Sequence, residues 1–132
     1  MQAELDDIAT TSVADQTAPP VLAAVAKGIG DLDDLVRLLA KGLSRSKPWQ
    51  RHLAAQLTEA DRLMQVLRLT IALDRPQAEI VEAGVDLQLV CQRARRSLVG
   101  TRADQTTVAA IQLGADLAAS IVQAFQRFTS TR

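Results

Sequence analysis

His52 and Cys91 are the two side chains of this 132-residue sequence that ionise near neutral pH without special tuning, and each type occurs once. Nucleophilic catalysis needs a nucleophile, a base and a group that orients the base. One His and one Cys on separate stretches do not supply such a set. Zinc needs three or four converging ligands. Carboxylate metal sites in helical proteins are marked by Glu-x-x-His pairs, which this sequence lacks. The expectation is therefore no enzyme, no catalytic residue, no metal and no cofactor. His52 is expected at a helix boundary and Cys91 as a packing residue. A lone thiol excludes an intrachain disulfide and fits a reducing compartment.

The remaining chemistry is charge. Formal net charge is zero, so global electrostatics select no partner class. The distribution is uneven, however. Residues 1–34 carry seven acids and one Lys, and residues 35–102 carry twelve bases and six acids. Twelve of the fifteen bases are Arg, whose planar fork suits phosphate.

Helices must position these groups. Apolar residues make up 48% of the chain, with one Trp, two Phe and no Tyr, so the core is Leu, Val, Ile and Ala. Strands favour β-branched and aromatic residues. Residues 1–20 are acidic, rich in Thr, Ser and Gln, and end in Pro19-Pro20. They are expected to form a flexible tail, leaving 21–132 as the bundle. The first helix is expected over about 21–44, with Gly28 and Gly30 as a break or bend and Asp31 capping a fresh start. Pro48 opens a second helix. There Leu53, Leu57, Ala60, Met64, Leu67 and Ile71 recur at spacings of 4, 3, 4, 3 and 4, a seam suited to bundle packing.

Asp74-Arg75-Pro76 predicts a turn. A third seam runs Ile80, Gly84, Leu87, Cys91, Ala94 and Leu98, and Gly100 stops that helix. Thr101 with Asp104 resembles a capping box. The fourth seam is Val108, Ile111, Ala115, Ala118, Val122 and Phe125. Leu117, Ile121 and Phe128 widen it enough to predict a homo-oligomer interface. Short connections between long helices predict an all-α, antiparallel, up-down four-helix bundle. No leader is recognised and no uninterrupted apolar run nears eighteen residues. The expected location is cytoplasmic, with no membrane and no small-molecule substrate as partner.

In such a bundle Lys41, Arg45, Lys47, Arg51, Arg93, Arg95, Arg96 and Arg102 gather at one end. Asp31, Asp33, Asp34, Asp74, Glu79, Glu82 and Asp86 gather at the other. Cations at helix C-termini and acids at N-termini each gain about 0.3–1 kcal/mol, which covers much of this arrangement. It leaves out Arg51, a cation at a helix start. The eight bases are the candidate nucleic-acid-binding residues.

The segment from Leu43 to Arg127 resembles the accessory variability determinant proteins of diversity-generating retroelements, which belong to a wider four-helix-bundle family that includes proteins encoded in ribosomal RNA intervening sequences. The resemblance lies in layout. It comprises the basic turn Ser44-Arg45-Ser46-Lys47-Pro48 before a long amphipathic helix, a Leu-rich helix ending in Arg93, Arg95 and Arg96, and the step Ile111-Gln112-Leu113-Gly114. It implies a homo-oligomeric ring, typically a pentamer, that binds template RNA and a reverse transcriptase through a basic surface. Two features depart from the family: neutral charge, and Ala118-Ala119-Ser120-Ile121 where Gly-Trp is usual.

The leading expectation is thus a non-enzymatic RNA-binding accessory bundle. A protein-only helical adaptor, chaperone or regulator is the alternative. A third reading is a histidine phosphotransfer domain using His52. That family usually follows its His with Lys-Gly, whereas Leu53, Ala54 and Ala55 follow here.

Overall fold

A computed structural model describes residues 20–130, with side chains described from 22 to 127. The acidic segment 1–19 and the Phe128 side chain lie outside the described residues. The described chain forms four helices, α1 (Pro20–Gly42), α2 (Pro48–Ala72), α3 (Gln77–Ser97) and α4 (Gln105–Ser130). Among the described residues there is no strand.

The helices pack as a bundle. α4 packs broadly on α1 and α3, α2 packs on α3, and the α1–α2 contact is narrower. Gly28 approaches Ile121 while Gly114 approaches Leu32 and Leu35, so numbers fall along α4 as they rise along α1. Likewise Arg68 meets Asp33 while Thr58 and Asp61 share a groove with Arg37 and Ala40. That register is what connections of four to seven residues enforce between neighbouring helices.

Most seam positions are buried, with Ile71 half-buried at the end of α2. Every α3 seam residue is buried, and Leu53, Leu57, Ala60, Met64 and Leu67 of α2 are as well. Val108, expected in the α4 seam, is exposed, because α4 has completed only one turn beyond its start at Gln105. Asp33, a charged residue, is buried with the core. α1 is continuous through Gly28 and Gly30. Asp31 caps nothing there and instead pairs with Lys27 one turn back, at 2.9 Å.

The helix ends follow local chemistry. Pro48 is the first residue of α2, and the Gln50 side chain accepts from the Lys47 N–H at 2.9 Å. Asp74 turns the chain at φ 54°, a left-handed conformation that Asp tolerates better than most residues. Pro76 precedes α3 as its cap rather than opening it. Gly100 has φ 80°, which ends α3 in the usual way. Asp104, not Thr101, caps α4. Its carboxylate accepts the Thr107 N–H at 3.0 Å and the Thr107 hydroxyl at 2.7 Å. Thr101 instead donates to the Leu98 carbonyl at 2.7 Å.

Part of the wide stripe of α4 is buried within the chain. Ile121 is 2% exposed and Val122, Ala124 and Phe125 are buried, because α4 packs on two neighbours at once. Leu117 is half-buried against the core. The oligomer interface expected at Leu117, Ile121 and Phe128 is therefore corrected for Ile121, whose surface is already covered by this chain. The stretch Gln105–Arg127 is long and apolar enough to cross a membrane by length and composition, its most apolar 18 residues having mean hydropathy 1.5, and 44% of that 18-residue window is buried in the bundle. The count of uninterrupted apolar residues missed this stretch because Asp116 and several Gln punctuate it.

In the half of the bundle nearer the basic end the four helices border a small, partly open cavity of about 20 Å³, lined by residues that include Ala60, Cys91, Ala94 and Gly114. These side chains are too short to fill it.

Candidate nucleic-acid interface

The connection 43–47 and the connection 98–104 lie at the same end of the bundle. Gly42, Leu43, Ser44, Trp49 and Gln50 share one groove of about 280 Å³ with Asp104 and Thr107. On the other flank the Ser97 hydroxyl lies 3.2 Å from Gln56 Oε1, which sets the end of α3 beside the early turns of α2.

All eight candidate bases belong to this end, and all are exposed. Lys41 lies in the last turn of α1, and Arg45 and Lys47 lie in the connection. Arg51 is in the first turn of α2. Arg93, Arg95 and Arg96 end α3, and Arg102 lies in the third connection. They do not form one uniform cluster. Arg93 and Arg96 are three residues apart and share a face, whereas Arg95 is rotated about 160° from Arg93. Arg93 is near enough to Glu59 for its charge to favour the carboxylate, which the Arg62 hydrogen bond favours most.

Pairing separates this end from the rest. Lys27 holds Asp31, Arg37 and Arg68 hold Asp33, Arg62 holds Glu59, and Arg75 holds Glu79. Among the described residues none of the eight makes an ion pair, and Arg127 is the other base without one. Asp104 is the acid on this end, and its carboxyl is held below its ordinary pKa by the Thr107 hydroxyl and then the Thr107 backbone N–H.

Arg51, which helix-dipole matching left unexplained, has a local role. Its Nη1 donates to the Arg45 and Ser46 carbonyls, each at 3.1 Å. It therefore tethers the connection that carries Arg45 and Lys47. Sequence reasoning treated Arg51 as a phosphate contact alone.

The opposite end is less acidic than expected. Asp33 lies midway along α1, buried between Arg37 and Arg68. Asp31 and Glu79 are paired. Lys27 and Arg127 join Arg75 among the bases there.

His52 is exposed in the first turns of α2. Cys91 is buried, and desolvation pushes its thiol up to about 11, away from the thiolate that reactivity requires. Among the described residues no cluster of His, Cys, Asp and Glu is arranged to hold a metal ion.

No family model matches the chain, and no curated protein or solved structure gives a significant match.

Proposed function

We propose that the basic end of the bundle binds the phosphates of a structured RNA, and that the chain acts as a non-enzymatic RNA-binding accessory protein. The observation that carries this reading is the pairing pattern. Eight exposed bases at one end hold no carboxylate, while five described bases elsewhere do. An unpaired guanidinium meets phosphate without displacing an internal partner, so counterion release contributes its full share to affinity. Arg93 and Arg96 offer forks on one face, and Lys41, Arg45 and Lys47 offer charges across the first connection. A reverse transcriptase as protein partner, and a ring of several copies, belong to this proposal through the layout resemblance alone.

The test is binding of a labelled RNA hairpin at two salt concentrations by Lys41→Gln/Arg93→Gln/Arg96→Gln against the unmodified chain. Arg51 is left in place because it holds the connection. Removing each phosphate-binding charge is expected to flatten the log–log salt slope by about 0.7–0.9. Asp74→Asn at the far end is the matched control and should bind like the unmodified chain. Equal binding by the triple variant, or no binding by the unmodified chain, rejects the proposal. Co-purification with a co-expressed reverse transcriptase tests the protein partner, and light scattering tests the ring.

A further inference from the structure

The α2–α3 face near the second connection carries a groove of about 410 Å³ with two unlike walls. One wall is Val66 and Leu69 of α2 with Leu73 just past its end, and the other is Glu79, Glu82 and Asp86 of α3. Each set has the spacing i, i+3, i+7, so each forms a ridge along its helix. Leu69 is 59% and Leu73 62% exposed, and Val66 39%. Three of the eight large apolar side chains exposed among the described residues thus stand on one ridge. That concentration, beside acids, differs from the scattered exposed apolar residues of an ordinary surface.

The acids differ in how free they are. Glu79 is held by Arg75 through two hydrogen bonds, at 2.7 and 3.2 Å, which closes the groove at the turn. Glu82 and Asp86 make no ion pair among the described residues. The open part of the groove is therefore an apolar ridge facing two carboxylates outside any direct ion pair, with Asp86 within charge range of Arg62.

We infer that this groove docks a short amphipathic helix of a protein partner, with aliphatic side chains on the Val66–Leu73 ridge and Lys or Arg along Glu82 and Asp86. The ridge is about 10 Å long at 1.5 Å per residue, so it accommodates roughly two turns of the partner. Helix-in-groove recognition uses apolar anchors at this same spacing. The carboxylates select a basic helix over an acidic one and repel nucleic-acid phosphate. This site is separate from the basic end and does not depend on the RNA reading.

The experiment titrates the full chain with a labelled synthetic helix of about fourteen residues, four turns long. It carries Leu at i, i+3 and i+7 and Lys along one flank. A second helix has Glu in place of Lys. Fluorescence anisotropy reads affinity, and backbone amide shifts read location. The Lys helix is expected to bind and to perturb residues 66–73 and 79–86. Glu82→Lys/Asp86→Lys should weaken it roughly tenfold, the size expected of two exposed charge pairs at low salt, and should accept the Glu helix instead. Leu69→Ser/Leu73→Ser should lose both helices. All four positions are exposed, so unchanged thermal midpoints will show that the variants fold. RNA binding by the charge-reversed variant should not fall. The inference is overturned by failure of the Lys helix to bind, by equal affinity for the charge-reversed groove, or by shifts confined to other residues. It is also overturned if the unmodified chain is a dimer that Leu69→Ser/Leu73→Ser converts to a monomer, since a second copy would then occupy the groove.

Discussion

Asp33 on α1 joins two helices, its Oδ2 lying 3.2 Å from Arg68 Nη1 on α2 while its Oδ1 lies 3.1 Å from Arg37 Nε on its own helix. The α1–α2 contact is the narrowest of the four broad helix–helix contacts, so this buried carboxylate supports a thin seam. Removing one partner of a fully buried pair costs about 3–5 kcal/mol. Here both arginines reach solvent, so Asp33→Ala should cost less, about 1–2 kcal/mol by urea unfolding. A loss below ~0.5 kcal/mol would show that the pair contributes nothing. Asp33 is consequently unsuitable as a surface control in any charge-swap experiment.

Gly28 and Gly30 stand two residues apart and should respond oppositely to alanine. A Cβ at Gly28 would lie 3.1 Å from Ile121 Cγ1, whereas at Gly30 nothing lies within 4 Å. Gly30→Ala gains helix propensity, roughly 0.5–1 kcal/mol of stability. At Gly28 the buried Ile121 must move, which offsets that gain and makes Gly28→Ala neutral or destabilising. Paired thermal melts decide it, and equal stabilisation by both would contradict the close approach of α1 to α4.

The fold was legible where periodicity had no competitor. The α2 and α3 seams were readable because the longest apolar stripe of each helix faced the core. Ile121 reads as part of a second surface of α4 because nothing local reveals that α4 has two neighbours. Asp33 looks like a solvated acid. Its i+4 partner Arg37 is visible in the sequence, but Arg68 is thirty-five residues away and only packing brings it near. The Val66, Leu69, Leu73 ridge is present at helical spacing too. It is masked by the longer seam beside it on α2.

At the basic end, membership could be inferred from connectivity alone, since a turn and two helix ends must lie near one another. Side-chain roles could not. The hydrogen bonds from Arg51 to the Arg45 and Ser46 carbonyls depend on the path of the connection, which residue types do not specify.

Burial of Cys91 makes stability depend on alkaline pH. Its thiol is raised from an ordinary 9.0 to about 11, so the folded chain keeps a proton that the unfolded chain releases. The contribution is complete below about pH 9 and is lost as pH rises toward 11. Urea midpoints should fall across that window, and Cys91→Ala should remove that part of the fall while costing about 1–2 kcal/mol at neutral pH. A thiol that reacts with a disulfide reagent at pH 8 as fast as in the unfolded chain would show that Cys91 is not buried.

Trp49 Nε1 is buried without a hydrogen-bond partner among the described residues. Such a group costs about 1–3 kcal/mol, so Trp49→Phe should cost under ~1 kcal/mol despite the smaller ring. As the sole tryptophan, it reports on its surroundings without labelling. RNA bound at the basic end should alter its emission. An unchanged spectrum at saturating RNA would place the bound RNA away from the first connection.

The small cavity between the helices has a mechanical consequence. Its volume, about 20 Å³, is near the minimum that one water needs, and the short side chains of Ala60, Ala94 and Gly114 leave it unfilled. Unfolding eliminates internal voids and so reduces the volume of the system, which makes hydrostatic pressure a denaturant. Compression should thus act first around this cavity, in the half of the bundle that carries the basic end.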